Sequence, residues 1–158
     1  MYKYTLAFLK KDDEILMLNR NFAPWMGSWN GVGGKVKNNE SILDAIVREI
    51  YEETNIKVAK DKVIDKGFVT WNDVHEFSSG LHVFLVNLSD DFKYETPKVT
   101  NEGILDFKKI DWLLNKENTG VCSNIPYFLE DVLYSDIRYN HYCVFNDDKL
   151  ESVKKHKI

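Results

Sequence analysis

Between Gly34 and Ile56 the chain sets an apolar stripe at helical spacing directly behind a glycine-rich turn, and crowds three carboxylates onto its end. Ile42, Leu43, Ile46, Val47 and Ile50 trace one face of a helix over about 41–54. Ser41 suits its N-terminus, and Asp44, three residues on, suits a capping partner. At about 100° per residue, Glu49 and Glu53 border the stripe, with Glu52 one step round and Arg48 beside it. Glu49 repels Glu53 at i,i+4 and Glu52 at i,i+3, by a few tenths of a kcal/mol per pair. Their place in the C-terminal half also opposes the helix dipole. Such crowding is either a solvated acidic face or a site whose repulsion a cation offsets. The Gly33-Gly34 backbone would let a carbonyl approach such a cation closely.

The spacing is specific. Gly34, five residues, Glu40, seven residues, Arg48-Glu49-Ile50, one residue, Glu52-Glu53, two residues, Ile56 resembles the Nudix box, here residues 34–56. Asn55 stands where that family has Gly; both residues suit the left-handed position that ends a helix. The resemblance implies a Nudix-like α/β/α sandwich with a mixed β-sheet, and hydrolysis of a phosphoanhydride in a nucleoside diphosphate derivative. It implies Mg2+ as cofactor, with Mn2+ as a substitute, because such ions take oxygen ligands and bridge carboxylate to phosphate. On the matching positions, Glu49, Glu52 and Glu53 are metal ligands. Arg48 orients a neighbouring Glu, Glu40 pairs with Arg48, and Gly34 supports the turn. The Gly33 carbonyl is a further metal contact. Glu102, in Asn101-Glu102-Gly103, lies where many members place a Glu that ligates metal or acts as base. The choice of base between Glu49 and Glu102 stays open.

The rest of the chain fits that frame. Tyr2–Leu9 and Ile15–Leu18 read as strands about a Lys11-Asp12-Asp13 turn. A loop rich in aromatics and glycine follows, then the helix. A long β-prone run spans 63–77, and a Ser78-Ser79-Gly80 turn leads into the strongest strand, Leu81–Leu88. Ile104–Lys109 and Tyr139–Phe145 are further strands. Ile125–Leu133 is a second helix, with Pro126 in its first turn. The sequence predicts one domain over 1–158 with a solvated or frayed tail at about 149–158.

Composition excludes some functions. At 158 residues, 44% hydrophobic and 29% charged, the chain has the makeup of a soluble globular domain. It has no apolar run of the ~20 residues a membrane span needs and no secretory leader pattern, so cytoplasm is the default expectation. Cys122 and Cys143 have no metal-like spacing. A net charge of −4 argues against polymeric nucleic acid, which asks for a basic stripe, and allows a small nucleotide screened by metal. Oligomeric state is not encoded in any such feature.

The substrate's variable group would be read outside the box. Trp29-Asn30-Gly31-Val32-Gly33-Gly34-Lys35 is similar to the entry of MutT-like 8-oxo-dGTP diphosphatases within the family, where the Asn contacts the purine. Asn30 carries both a donor and an acceptor, as an oxopurine edge requires; alternatively it only shapes the turn. Asn124 is a second candidate base contact, and Lys35 either contacts phosphate or is an ordinary surface lysine. Phe22, Trp25 and Trp71 could stack on a base or simply pack. His82 could face the pocket, but is expected rather to sit satisfied in its strand. ADP-ribose, nucleotide sugars and dinucleoside polyphosphates remain alternative substrates, and a non-catalytic nucleotide-binding domain is the alternative to an enzyme.

Overall fold

The computed structural model describes residues 2–72 and 80–158. Its framework is a mixed sheet in which β1 (Tyr4–Lys11) lies centrally, flanked by β2 (Glu14–Arg20) and β5 (Gly80–Asn87). β1 is buried on both faces through Thr5–Leu9, which explains its unbroken apolar run: layers cover it from either side. It runs antiparallel to β2 through the Asp12-Asp13 turn, with Asp12 at φ +53°, and parallel to β5. Beyond β5 come β4 (Val63–Trp71), β8 (Tyr139–Asn146) and β9 (Lys149–Lys157). Beyond β2 come β7 (Gly103–Lys109) and the two-residue β6 (Lys98–Val99), while β3 (Trp29–Asn30) also pairs with β2.

One face is covered by α1 (Ile42–Thr54). Ile46 and Ile50 are fully buried there against Ala7, Leu9, Leu16, Leu18 and Leu105, with Ile42 and Leu43 packed at the margin. The ends of α1 follow the local chemistry of the sequence. The Ser41 hydroxyl accepts from the Asp44 amide at 3.0 Å, and Asn55 takes a left-handed φ of +63° while its N–H reaches the Tyr51 carbonyl. The other face packs on α2 (Ile110–Leu114) and α3 (Ile125–Tyr134), whose Phe128, Leu129 and Val132 meet Leu6, Phe8, Ile15 and Met17. The result is an α/β/α sandwich, as expected. Among the described residues no helix is long and apolar enough to cross a membrane.

One expectation needs correction, one helix was not read from the sequence, and one strand is shorter than expected. The end of the chain is not a frayed tail: residues 149–157 form β9, paired antiparallel along the whole of β8. The lysines there mask two inward residues, Leu150 and Val153, which pack against the core beneath α3. The short α2 gave too few turns for its period to show in the sequence. The strand expected over 63–77 ends at Trp71; residues 73–77, and Ser78 and Ser79 of the following turn, lie outside the described residues.

Candidate active site

The glycine-rich loop is pressed onto β1. Val32 and Ala7 exchange backbone hydrogen bonds at 2.6 and 3.0 Å, and the Gly34 carbonyl accepts from both the amide and hydroxyl of Thr5. A Cβ at Gly33 would stand 2.0 Å from the Thr5 carbonyl oxygen, and one at Gly34 would stand 2.5 Å from the carboxyl carbon of Glu49. A side chain at Gly33 is therefore excluded by backbone, and one at Gly34 would displace the Glu49 carboxylate. The loop needs bare backbone because β1 lies under it and the α1 carboxylates lie beside it.

Arg48 organises the polar edge of α1. Its Nε and Nη2 donate to the two carboxylate oxygens of Glu40 at 2.7 and 3.0 Å. Nη1 reaches Glu49 Oε1 at 2.8 Å and Glu52 Oε2 at 3.0 Å, and Nη2 also reaches the Lys35 carbonyl at 3.0 Å. Glu40 accepts the Lys37 amide as well, and the Arg48 guanidinium with that amide holds its carboxyl down at about 2. One guanidinium thus ties the Gly-loop exit, the Glu40 turn and two helix carboxylates into one unit.

Glu53 is different in kind. It is 8% exposed, and its Oε2 is buried without a hydrogen-bond partner among the described residues. Burial foremost, then the charges of Glu49 and Glu102, push its carboxyl up to about 8, against the pull of the Gly33 amide and Arg20. Glu102 lies in the turn between β6 and β7, where its carbonyl accepts from the Asn21 amide. With Glu52 and Glu53 it lines a groove of about 390 Å³. Among the described residues its carboxylate makes no hydrogen bond or ion pair.

These residues suit an oxygen-seeking divalent cation. The donors are carboxylates and peptide carbonyls, one buried oxygen is orphaned, and the crowded charges raise each other's energy until something positive intervenes. Among the described residues, no three acidic, His or Cys side chains already converge as a cage; Arg48 holds Glu49 and Glu52 in ion pairs instead.

The other predicted residues are scattered around this centre. Asn30 is half-buried in β3, with its Oδ1 accepting the Gly31 amide at 2.8 Å in a turn-making bond, while its NH2 makes no hydrogen bond among the described residues. Asn124 stands at the α3 N-cap but caps nothing; its Nδ2 points to Cys143 Sγ at 3.8 Å. The backbones around the two are sewn together, since Trp29 donates to the Gly120 carbonyl and accepts from the Cys122 amide. Lys35 is exposed and, among the described residues, forms no ion pair. Phe22 is exposed, Trp25 adopts φ +65° with its ring 6.4 Å from Phe145, and Trp71 packs against the core beneath α3. His82 departs from expectation. It is wedged among Tyr2, Phe68 and Phe84, burial lowers its pKa, and its Nε2 finds no partner among the described residues. Sequence reasoning passed over Thr5, whose grip on Gly34 has no local signature, and Ser123, whose buried Oγ has no partner among the described residues.

A mixed-sheet sandwich that presents a glycine loop to a carboxylate-bearing helix defines a class of domain built to hold cations against phosphate. The chain belongs to the NUDIX domain family, whose model it matches over residues 4–132. It is 32% identical over 84 residues to the oxidized purine nucleoside triphosphate hydrolase of Mus musculus, covering 48% of this chain and 53% of that protein. Over 71 residues it is 34% identical to an uncharacterized Nudix hydrolase, YvcI, of Bacillus subtilis, covering 45% of this chain and 42% of that one. The matched stretch therefore spans about half the length of these curated relatives. Among solved structures, the mutator MutT protein from Bacillus halodurans superimposes with a TM-score of 0.72 at 27% identity, over 98% of this chain and 97% of that one.

Proposed function

We propose that this chain is a divalent-metal-dependent pyrophosphohydrolase that converts a purine nucleoside triphosphate, an oxidised one such as 8-oxo-dGTP foremost, to the monophosphate and pyrophosphate. The observation that carries the reading is Glu53, a buried carboxylate with an orphaned oxygen among the described residues, beside Glu49 and Glu102 and behind a loop that admits no side chain at Gly33. Glu49, Glu52, Glu53 and the Gly33 carbonyl would hold Mg2+, with Mn2+ as a substitute, and Glu102 would either join them or act as base. Bound there, the metal would neutralise charge on the phosphate chain. The protein's own part is orientation and proton handling. Arg48 fixes Glu49 and Glu52 from behind. Of the two candidate bases, Glu49 already shares an oxygen with Arg48, whereas Glu102 is uncommitted, which favours Glu102 to take the proton of the attacking water. Asn30 offers its free NH2 to the base, and the mouse relative's substrate class supports a purine there.

The test is a kinetic panel with Mg2+ over 8-oxo-dGTP, dGTP, ADP-ribose and diadenosine polyphosphate, following pyrophosphate and monophosphate release. The highest kcat/KM is expected on 8-oxo-dGTP. Preference for ADP-ribose would overturn the substrate assignment, and tight nucleotide binding without turnover on any substrate would overturn the enzymatic one.

A further inference from the structure

The groove at the end of α1 contains one feature that the Nudix box does not specify. Among its lining residues Glu52, Glu53 and Glu102 are acidic, and Lys98 is the one basic side chain. An edge-strand lysine is ordinarily a solvated guard against strand pairing. Lys98 differs because its position is set. Its Nζ sits 5.0 Å from the centroid of the Tyr94 ring. The Tyr94 hydroxyl donates at 2.6 Å to the carbonyl of Thr54, the last residue of α1. The lysine is thereby tethered to the helix that carries the carboxylates. From the other side, Lys98 in β6 pairs with Leu105 of β7, and Glu102 lies in the turn joining the two strands, where Thr100 and Gly103 exchange backbone hydrogen bonds at 2.8 and 3.3 Å. Arg20, whose charge acts on Glu53, spends its Nε on the carbonyls of Phe22 and Pro24.

We propose that Lys98 is a phosphate-contact residue that binds the pyrophosphate end of the substrate, and later the pyrophosphate product, in the groove between α1 and the β6–β7 turn. The proposal rests on the hydrolase reading above and specifies which part of the substrate lies in this groove. A flexible ammonium suits the role: it can leave the Tyr94 ring, meet a phosphate oxygen as a point charge, and return when product departs.

Binding of inorganic pyrophosphate with Mg2+, read by calorimetry, tests this without turnover, beside kinetics on dGTP. Lys98→Met should weaken pyrophosphate binding and raise KM by about tenfold, as befits one charged hydrogen bond in a partly open site, with kcat changed far less. Lys98→Arg should restore most of the affinity. Tyr94→Phe keeps the ring but removes the bond to Thr54 that fixes it; it should lower pyrophosphate affinity too, by less than Lys98→Met does, along with thermal stability. Unchanged pyrophosphate affinity and KM in a folded Lys98→Met protein would overturn the proposal, as would a wild type that binds no pyrophosphate. A Lys98-dependent affinity in a protein that hydrolyses no nucleotide would uphold Lys98 and sink the hydrolase reading instead.

Discussion

Replacing Glu53 by Gln removes one negative charge from the most crowded point of the site while keeping its shape. In the metal-free protein the Glu53 carboxyl is pushed from 4.5 to about 8. Because the folded value lies above the unfolded one, its contribution to stability is fully present below about pH 4.5. That contribution falls as pH rises and levels off above pH 8. Taken at face value this corresponds to about 3 kcal/mol lost at pH 7 relative to acid, and at most about 5 kcal/mol above pH 8. Water entry and side-chain rearrangement reduce that to roughly 1–3 kcal/mol. In EDTA, Glu53→Gln should therefore melt higher than wild type at pH 8 by about 3–10 °C for a chain of this size, and the gap should close toward pH 5. Adding Mg2+ should reverse the order, because the ion stabilises the state that binds it and the variant has lost a ligand. Turnover should fall by orders of magnitude in the same variant. Melting curves across pH 5–8, with EDTA or Mg2+, read all of this. Parallel pH profiles for the two proteins in EDTA, or equal Mg2+ stabilisation of both, would refute the reasoning; a fully active variant would refute the role of Glu53.

Asn30→Ala should lower kcat/KM on an oxidised purine substrate by roughly 5- to 150-fold, the effect of about 1–3 kcal/mol from a buried hydrogen bond. Its Mg2+ dependence should not move, and equal loss on every substrate would show that the loop, not the base contact, was damaged. Gly34→Ala drives a methyl into the Glu49 carboxyl, so it should abolish most turnover, and wild-type kinetics would show that Glu49 can shift at no consequence. Truncation after Asp148 deletes β9 with Leu150 and Val153 and should cost at least ~2–4 kcal/mol in denaturant unfolding, whereas a dispensable tail would leave the midpoint unchanged.

Local patterns were legible wherever one short segment contained its own reason. α1 announced itself through a 3.6-residue stripe, a Ser cap and an Asn at the left-handed end, and all three stand as read. The Arg48 bonds to Glu40 and Glu49 were legible only through the resemblance to the Nudix box, because i,i+1 spacing does not by itself turn two side chains to each other. β9 was illegible because its four lysines outweigh the two inward residues, and only the partner strand β8 reveals which side is inside. His82 was misjudged for a similar reason, since whether a ring nitrogen finds a partner depends on Tyr2, Phe68 and Phe84 arriving from other parts of the chain.

The sequence by itself determined the helix, the bare loop before it and the sign of the charge gathered there, because residues within one or two turns of each other have no freedom to be elsewhere. Only the tertiary structure decided what that charge feels. Glu53 is one of three similar glutamates in sequence, yet folding buries it behind Gly33, and that burial with the charges of Glu49 and Glu102 pushes its carboxyl up to about 8. Lys98, Tyr94 and Glu102 likewise became neighbours of the helix end through the placement of β6 and β7 at the sheet edge. Desolvation and long-range Coulomb interaction depend on what surrounds a group in space, and that surrounding does not exist until the sheet has formed.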